Sequence, residues 1–142
     1  SELQVPGIAA GGVGSAEDVA RMIAAGAAGV QVGTAYLLCP EASTSAVHRA
    51  AVTSDAAQHT EITNVFSGRP ARGIVNRMIA ELGPLASAAP VFPLATAAVS
   101  PLRTSAEQAG SGDFSPMWCG QNVSGCSEVS AATLTRHLGA MS

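Results

Sequence analysis

Short apolar runs alternate with a helical pattern near the start of the chain. The predicted elements are a strand over residues 5–10, a helix over residues 16–25 and a second strand over residues 29–33. The first strand ends at Gly11-Gly12, a pair typical of the turn that follows a buried strand. Ser15 with Asp18 three positions later is a capping-box pattern, and Gly26 is placed to end the helix. The pattern therefore predicts a strand, helix, strand unit.

The rest of the chain is predicted to contain more helix than strand. The expected elements are a helical turn over residues 35–38, a helix over residues 45–52, a strand over residues 60–66, a helix with Ile74, Met78, Ile79 and Leu82 on one face, and a helix over residues 131–138. Residues 84–112 are rich in Pro, Ala and Ser, which predicts an irregular segment packed on a larger body. We therefore divide the chain into residues 1–83, with the βα units and the helices that follow, and residues 84–142, packed on the same domain.

The two strand ends that carry glycine are the first candidate site. The predicted helix is too short a crossover for anything but adjacent parallel strands, so both carboxyl ends meet at one edge of a sheet. Gly11 and Gly12 follow the first strand, and Gly33 and Thr34 follow the second; we call these pairs the two glycine loops. Glycine lets backbone N–H groups approach an anion, and the Thr34 hydroxyl adds a donor. The pattern predicts a phosphate site that needs no metal, as after the last two strands of a (β/α)8 barrel.

Composition and charge exclude several classes of function. The chain has 142 residues, the size of one domain, and only 12% of them are charged. Its net charge is −3 and its basic residues do not cluster, so neither nucleic acid nor an acidic membrane surface is an expected partner. All 7 basic side chains are arginines, which excludes a lysine Schiff base or a phosphate-loop lysine from this chain.

Cysteine usage and the start of the chain indicate the cellular setting. Cys39, Cys119 and Cys126 are odd in number and lack the short spacing of a zinc or redox motif. We therefore expect a reducing, cytoplasmic compartment. No apolar run reaches the roughly 18 residues that span a bilayer, so no membrane partner is expected. The chain opens Ser-Glu-Leu-Gln without an initiator Met, and we expect it to be a piece of a longer polypeptide.

Four segments of the sequence are similar to motifs of a single enzyme family. Residues 6–13 read PGIAAGGV and residues 26–37 read GAAGVQVGTAYL, which together look like a phosphate-binding region for FMN. Residues 66–74 read FSGRPARGI, similar to the segment after the last barrel strand, and residues 114–121 read FSPMWCGQ, similar to a C-terminal Trp-x-Gly-Gln tail. The chain thus resembles the nitronate monooxygenases, formerly called 2-nitropropane dioxygenases.

The resemblance implies a flavoenzyme built on a TIM barrel. The family binds FMN without a covalent bond and oxidises alkyl nitronates with molecular oxygen. By resemblance, the cofactor-binding residues are Ala10, Gly11, Gly12, Gln31, Gly33 and Thr34. A TIM barrel takes roughly 250 residues, so this α/β chain is expected to supply about the last two βα units and a helical or irregular C-terminal extension. The family's catalytic base is a histidine in an upstream Gly-Gly-His segment, which this sequence lacks. We therefore assign no catalytic residue and no metal ligand.

Several side chains have two interpretations at this point. Gln31 is either a direct cofactor contact or a polar side chain satisfied between barrel strands. Arg69 and Arg72 either lie near the flavin phosphate or clamp the C-terminal extension through backbone carbonyls and carboxylates. Trp118 either covers the flavin or the substrate entrance, or packs against the barrel.

The three histidines are not expected to act as bases. His48 follows the start of a predicted helix, where a solvated side chain is the simpler interpretation, and His59 and His137 are treated in the same way. A general base must reach the reacting proton, and none of the three lies at a predicted strand end.

Three functions remain open on the sequence alone. The first is the FMN-dependent oxidation of alkyl nitronates, with this chain supplying the phosphate half of the flavin site. The second is a flavin enoyl reductase of the same fold, which would consume NADH. The third is a non-catalytic remnant, whose unpaired barrel edges would favour self-association.

Overall fold

The computed structural model describes residues 5–140, and its contacts divide the chain into two compact units. Unit 1 comprises Ser1–Ser43 with Gly120–Ser142, and unit 2 comprises Thr44–Cys119. The strands are β1 (Ile8–Ala10), β2 (Gly29–Gln31), β3 (Thr60–Thr63) and β4 (Ala71–Ile74). The helices are α1 (Ala16–Ala24), α2 (Ala46–Val52), α3 (Arg77–Leu82), α4 (Leu94–Gln108) and α5 (Ala131–Leu138), with 3-10 helices at Thr34–Leu38 and Asp55–Gln58. Within residues 5–140, no helix is long and apolar enough to cross a membrane. Our division of the chain at residue 83 stays a prediction.

β1 and β2 form the adjacent parallel pair that the sequence predicts. Ala10 at the end of β1 lies opposite Gln31 at the end of β2. Both strands are shorter than predicted, for local reasons. Pro6 has no N–H to donate to a ladder, and Gly33 adopts φ −118° and ψ −65° to begin the 3-10 helix that follows β2.

The start of α1 is capped as the sequence predicts. The Asp18 N–H donates to the Ser15 hydroxyl at 3.2 Å, and the Ser15 N–H donates to the Asp18 carboxylate at 3.1 Å. This reciprocal pair is a capping box, which satisfies backbone donors that a helix start leaves unpaired. Gly26 follows the helix with a φ of 98°, a conformation that favours glycine.

The core of unit 1 depends on the C-terminal helix. One cluster of buried apolar residues in this unit consists of Ala35, Cys39, Leu134 and Leu138. The 3-10 helix Thr34–Leu38 supplies the first of them, and α5 supplies the two leucines. The hydroxyls of Tyr36 and Thr135 lie 2.8 Å apart and join the same two helices by a hydrogen bond. The predicted helix over residues 131–138 is therefore confirmed, and it holds the segment that follows β2.

β3 and β4 form an antiparallel hairpin that the sequence predicts only in part. The strand expected over residues 60–66 is shorter, and Ile74 of β4 lies opposite Thr60. The assignment of Ile74 to a helical face is wrong, because it is a fully buried strand residue. α3 begins only after Asn76, whose side chain accepts a hydrogen bond from the Ile79 N–H at 3.3 Å. Pairing with β3, which local spacing cannot reveal, overrides the helical pattern.

The Pro/Ala-rich segment contains a long helix, which corrects the expectation of an irregular segment over residues 84–112. α4 runs through Pro101 and buries Ala95 and Val99 on one side. Alanine is the strongest helix former, and this propensity together with the buried face outweighs the hydrogen bond that Pro101 cannot make. The Thr96 hydroxyl also donates to the Phe66 carbonyl at 3.1 Å, which ties α4 to the rest of unit 2.

Gly68 lies at the closest approach of two segments of unit 2. Its φ is 83°, and a Cβ atom at this position would overlap the backbone of Pro90, Val91 and Phe92. The guanidinium of the next residue, Arg69, lies 4.3 Å from the centroid of the Phe92 ring. Only glycine satisfies both the backbone conformation and the close packing at this turn.

Replacing Gly68 with Ala is expected to lower the free energy of unfolding by about 2–4 kcal/mol, because backbone strain and overpacking add. Gly110→Ala is the matched control, since Gly110 has a φ of 76° and open space around its Cβ position. The control should cost only about 1 kcal/mol, the backbone part alone. Urea unfolding measures both values. Equal losses in the two variants would contradict the close-packing account.

Candidate functional site

The two glycine loops follow directly from the carboxyl ends of paired strands. Because β1 and β2 run parallel with Ala10 opposite Gln31, Gly11-Gly12 and Gly33-Thr34 continue from the same edge of the sheet. This is the arrangement that the strand, helix, strand pattern predicts. Ala10 and Gln31 are both exposed at this edge. The role of Gln31 as a cofactor contact stays a prediction.

The backbone of the glycine loops leaves open space. Gly11 and Gly12 have φ values of 96° and 72°, which require glycine for the turn itself. A Cβ atom built at Gly11, Gly12 or Gly33 would meet nothing within 4 Å. Within the described residues, the backbone N–H groups of Gly12 and Thr34 donate to no other protein group. The loops thus combine free donors with room for a group that approaches the backbone closely.

The start of α1 contributes less to an anion site than the sequence suggested. The Asp18 carboxylate accepts the N–H groups of Gly14, at 2.9 Å, and Ser15, at 3.1 Å. These hydrogen bonds, the one from Gly14 above all, together with Arg21 hold the pKa of Asp18 below its ordinary value. Two donors near the helix start are therefore occupied by the chain's own carboxylate. The donors that we consider for a ligand are therefore those of the two glycine loops, one before α1 and one after β2.

Three hydrogen bonds connect the glycine loops to the C-terminal part of unit 1. The Gly120 N–H donates to the Thr34 hydroxyl at 2.8 Å, and the Asn122 amide donates to the Gly12 carbonyl at 2.9 Å. The Cys126 thiol donates to the Thr34 carbonyl at 3.1 Å. Sequence reasoning missed these contacts, because nothing local in residues 120–126 indicates a partner about 90 or more positions earlier.

The arginines and the tryptophan singled out by the sequence make packing contacts in unit 2. The Arg72 side chain donates to the Thr60 carbonyl at 3.0 Å. This bond joins β4 to β3 and does not involve the C-terminal extension. Arg69 stacks on the Phe92 ring. Trp118 meets the Phe66 ring edge-on, with 6.0 Å between centroids. A role of these three side chains at the flavin or the substrate entrance stays a prediction.

His48 corrects the expectation of a solvated histidine. It lies on α2 and is half-buried, and its Nε2 atom is buried without a hydrogen-bond partner among residues 5–140. Burial lowers the pKa of His48, an effect opposed by the hydrogen bond to the Trp118 backbone. His59 and His137 are exposed, as expected.

Comparison with known sequences places the chain beside one group of enzymes. A family model described as "Nitronate monooxygenase" matches residues 1–140. A nitronate monooxygenase from Pseudomonas aeruginosa is 38% identical over 135 residues, which cover 94% of this chain and 38% of that protein. A probable nitronate monooxygenase from Staphylococcus saprophyticus is 30% identical over 137 residues, 96% of this chain and 39% of that protein. The chain therefore spans about two fifths of these relatives.

Solved structures give the same picture for the fold. A nitroalkane oxidase from Streptomyces ansochromogenes superposes with a TM-score of 0.88 at 37% identity, covering 98% of this chain and 40% of that one. FabK from Thermotoga maritima superposes with a TM-score of 0.67 at 22% identity, covering 96% of this chain and 43% of that one. Both neighbours are TIM-barrel enzymes. The likeness to FabK concerns the fold alone.

His48 predicts a loss of stability in mild acid. Burial lowers the pKa of His48 in the folded chain below the ordinary value of 6.5. As the pH falls through this range, the unfolded chain therefore binds a proton at His48 more readily than the folded chain does. The free energy of unfolding should then decrease as pH falls below about 6.5. His48→Gln should flatten this decrease, whereas His59→Gln, at an exposed site, should leave it unchanged. Urea unfolding between pH 5 and pH 8 measures the slopes, and identical slopes in all three proteins would contradict the burial argument.

Proposed function

The chain belongs to the nitronate monooxygenase family, and we propose that it supplies the FMN-phosphate-binding half of an enzyme that oxidises alkyl nitronates with molecular oxygen. The observation that carries this proposal is the pair of open glycine loops at one edge of a parallel sheet. The nitronate monooxygenase from Pseudomonas aeruginosa, 38% identical to this chain, supports the choice of reaction.

The glycine loops fit a phosphate group by their backbone chemistry. Open space at Gly11, Gly12 and Gly33 admits an anion against the main chain, and the N–H groups of Gly12 and Thr34 are available to donate to it. FMN, when bound, would take electrons from the nitronate and pass them to oxygen. Ala10 and Gln31 would lie beside the bound group, at the strand ends that carry the loops.

The chain's own part in this reaction is to bind and orient. The Thr34 hydroxyl and the loop N–H groups would fix the phosphate end of the cofactor, which places its reactive part relative to the substrate. We assign no catalytic base to this sequence, because it contains no Gly-Gly-His segment. β1, α1 and β2 are proposed to belong to about the last two βα units of a TIM barrel.

The cysteines are consistent with the proposed compartment. Among residues 5–140, Cys39, Cys119 and Cys126 form no disulfide bond, as expected for a protein of a reducing cytoplasm. Burial raises the pKa of Cys119, which makes it a poor nucleophile. Nitronate and oxygen are the proposed small-molecule partners, and self-association through barrel edges remains a prediction.

Oxygen consumption with an alkyl nitronate tests the proposed reaction. The polypeptide is purified as its gene encodes it, loaded with FMN and mixed with propane-2-nitronate in an oxygen electrode. We expect oxygen uptake that does not require NADH. Oxidation of NADH without nitronate turnover would favour the enoyl reductase instead. A protein that retains no flavin through gel filtration would favour the non-catalytic remnant.

Gly33→Ala tests the assignment of the phosphate site. Because Gly33 has a negative φ and open space around its Cβ position, alanine should fold normally while its methyl group enters the space that the phosphate needs. We expect FMN affinity to fall at least about tenfold, or about 1.4 kcal/mol. The control is Gly7→Ala, which also adds a methyl group in open space but precedes β1 at its opposite end. Unchanged FMN affinity in Gly33→Ala would remove the site assignment.

A further inference from the structure

Residues 120–126 contact both glycine loops, and no function has yet been given to this segment. It begins at Gly120, which bonds to the Thr34 side chain, and it reaches the other loop through Asn122 and the Gly12 carbonyl. Beyond their three-residue strands, the loops have no other shared partner among the hydrogen bonds of the described residues. Besides the pairing of β1 with β2, this segment is therefore the hydrogen-bonded link between the loops.

The bond from Gly120 determines what the Thr34 hydroxyl can do. A hydroxyl has one O–H to donate and two lone pairs that accept. The Gly120 N–H occupies a lone pair at 2.8 Å, and an N–H cannot accept a hydrogen bond in return. The O–H of Thr34 is therefore left to donate elsewhere, and accepting a bond strengthens it as a donor. The Thr34 hydroxyl is thus held as a hydrogen-bond donor, which is what the binding of an anion requires.

The bond from Asn122 determines the orientation of one peptide group in the first loop. The Asn122 carbonyl oxygen accepts from the N–H of Ser124 at 3.0 Å and from its hydroxyl at 2.7 Å, so the amide nitrogen points to Gly12. In a trans peptide the carbonyl and the following N–H point in opposite directions. Because the Gly12 carbonyl is held toward Asn122, the Val13 N–H points away from Asn122. The same bond keeps the Gly12 carbonyl oxygen from rotating toward an anion, which it would repel.

We propose that residues 120–126 position the phosphate site without touching the ligand: they hold the two glycine loops together and present Thr34 as a donor. This inference rests on the proposed function. Close packing supports it, because a Cβ atom at Gly125 would overlap the backbone of Gly14, and one at Gly120 would lie 3.1 Å from the Thr34 hydroxyl oxygen. Only glycine at position 125 allows the segment to lie this close to Gly14, and a methyl group at position 120 would crowd the Thr34 hydroxyl.

Asn122→Ser tests the inference. Serine can still accept from the Ser124 N–H and keep the local turn, but it is too short to reach Gly12 and it adds no charge. Gln58→Ser is the matched control, because it shortens an exposed amide side chain to the same residue at a position outside residues 120–126. The dissociation constants of FMN and riboflavin are measured by flavin fluorescence, with thermal unfolding to check the fold. Riboflavin lacks the phosphate and reports on the rest of the flavin site.

We expect Asn122→Ser to weaken FMN binding about tenfold and to leave riboflavin binding unchanged, while Gln58→Ser changes neither. Gly120→Ala, which crowds the Thr34 hydroxyl, should give the same selective loss. Equal losses for FMN and riboflavin, or no loss for either, would overturn the positioning role. If the unaltered protein binds FMN no better than riboflavin, the proposed function itself fails. If Gly33→Ala weakens FMN binding and Asn122→Ser does not, only this inference fails.

Discussion

Unit 1 depends on contact between two distant parts of the chain, the segment up to Ser43 and the segment from Gly120 onward. The hydrogen bond from the Gly120 N–H to the Thr34 hydroxyl is one such contact. Strands of three residues cannot hold a site in place by themselves. The C-terminal part of the chain completes them, since α5 buries Leu134 and Leu138 against the segment after β2 and residues 120–126 bond to both loops. The intervening residues Thr44–Cys119 form a compact unit of their own. The entropic cost of closing so long a connection is moderate, because it grows only slowly with the length of the connection.

The electrostatics around the glycine loops depends on uncharged hydrogen-bond donors and on one carboxylate, Asp18, whose charge is compensated by its partners. A carboxylate next to a phosphate site would normally weaken it, and Asp18 lies directly after the first loop. Here its charge is satisfied by backbone N–H groups and by the ion pair with Arg21. At the proposed phosphate site a ligand would meet glycine N–H groups and a hydroxyl, and the chain contains no lysine. Such a site would recognise an anion by the geometry of its donors rather than by net charge.

In unit 2, residues of the motifs that carried the resemblance make structural contacts. The residues that carried the resemblance in this region, Arg69, Arg72 and Trp118, stack on Phe92, clamp β3 and pack on Phe66, respectively. Asn76 works in the same way: its side chain caps α3 and donates to the Gly112 carbonyl at 2.8 Å. Polar side chains that satisfy backbone groups of other segments replace regular secondary structure in a unit with only one short hairpin.

The sequence by itself determined the elements whose signals are local. The capping box at Ser15, the glycine turns and the spacing of apolar residues predict the β1, α1, β2 unit and α5, and a short crossover permits only parallel neighbours.

Tertiary structure decided what depends on partners far along the chain. Ile74 became a strand residue through pairing with β3, the Ala-rich segment became a helix by burying Ala95 and Val99, and His48 became buried through its neighbours in unit 2. The candidate site divides in the same way. Its glycines are visible in the sequence, whereas the contacts of residues 120–126 with them arise only when the folded chain brings its two ends together.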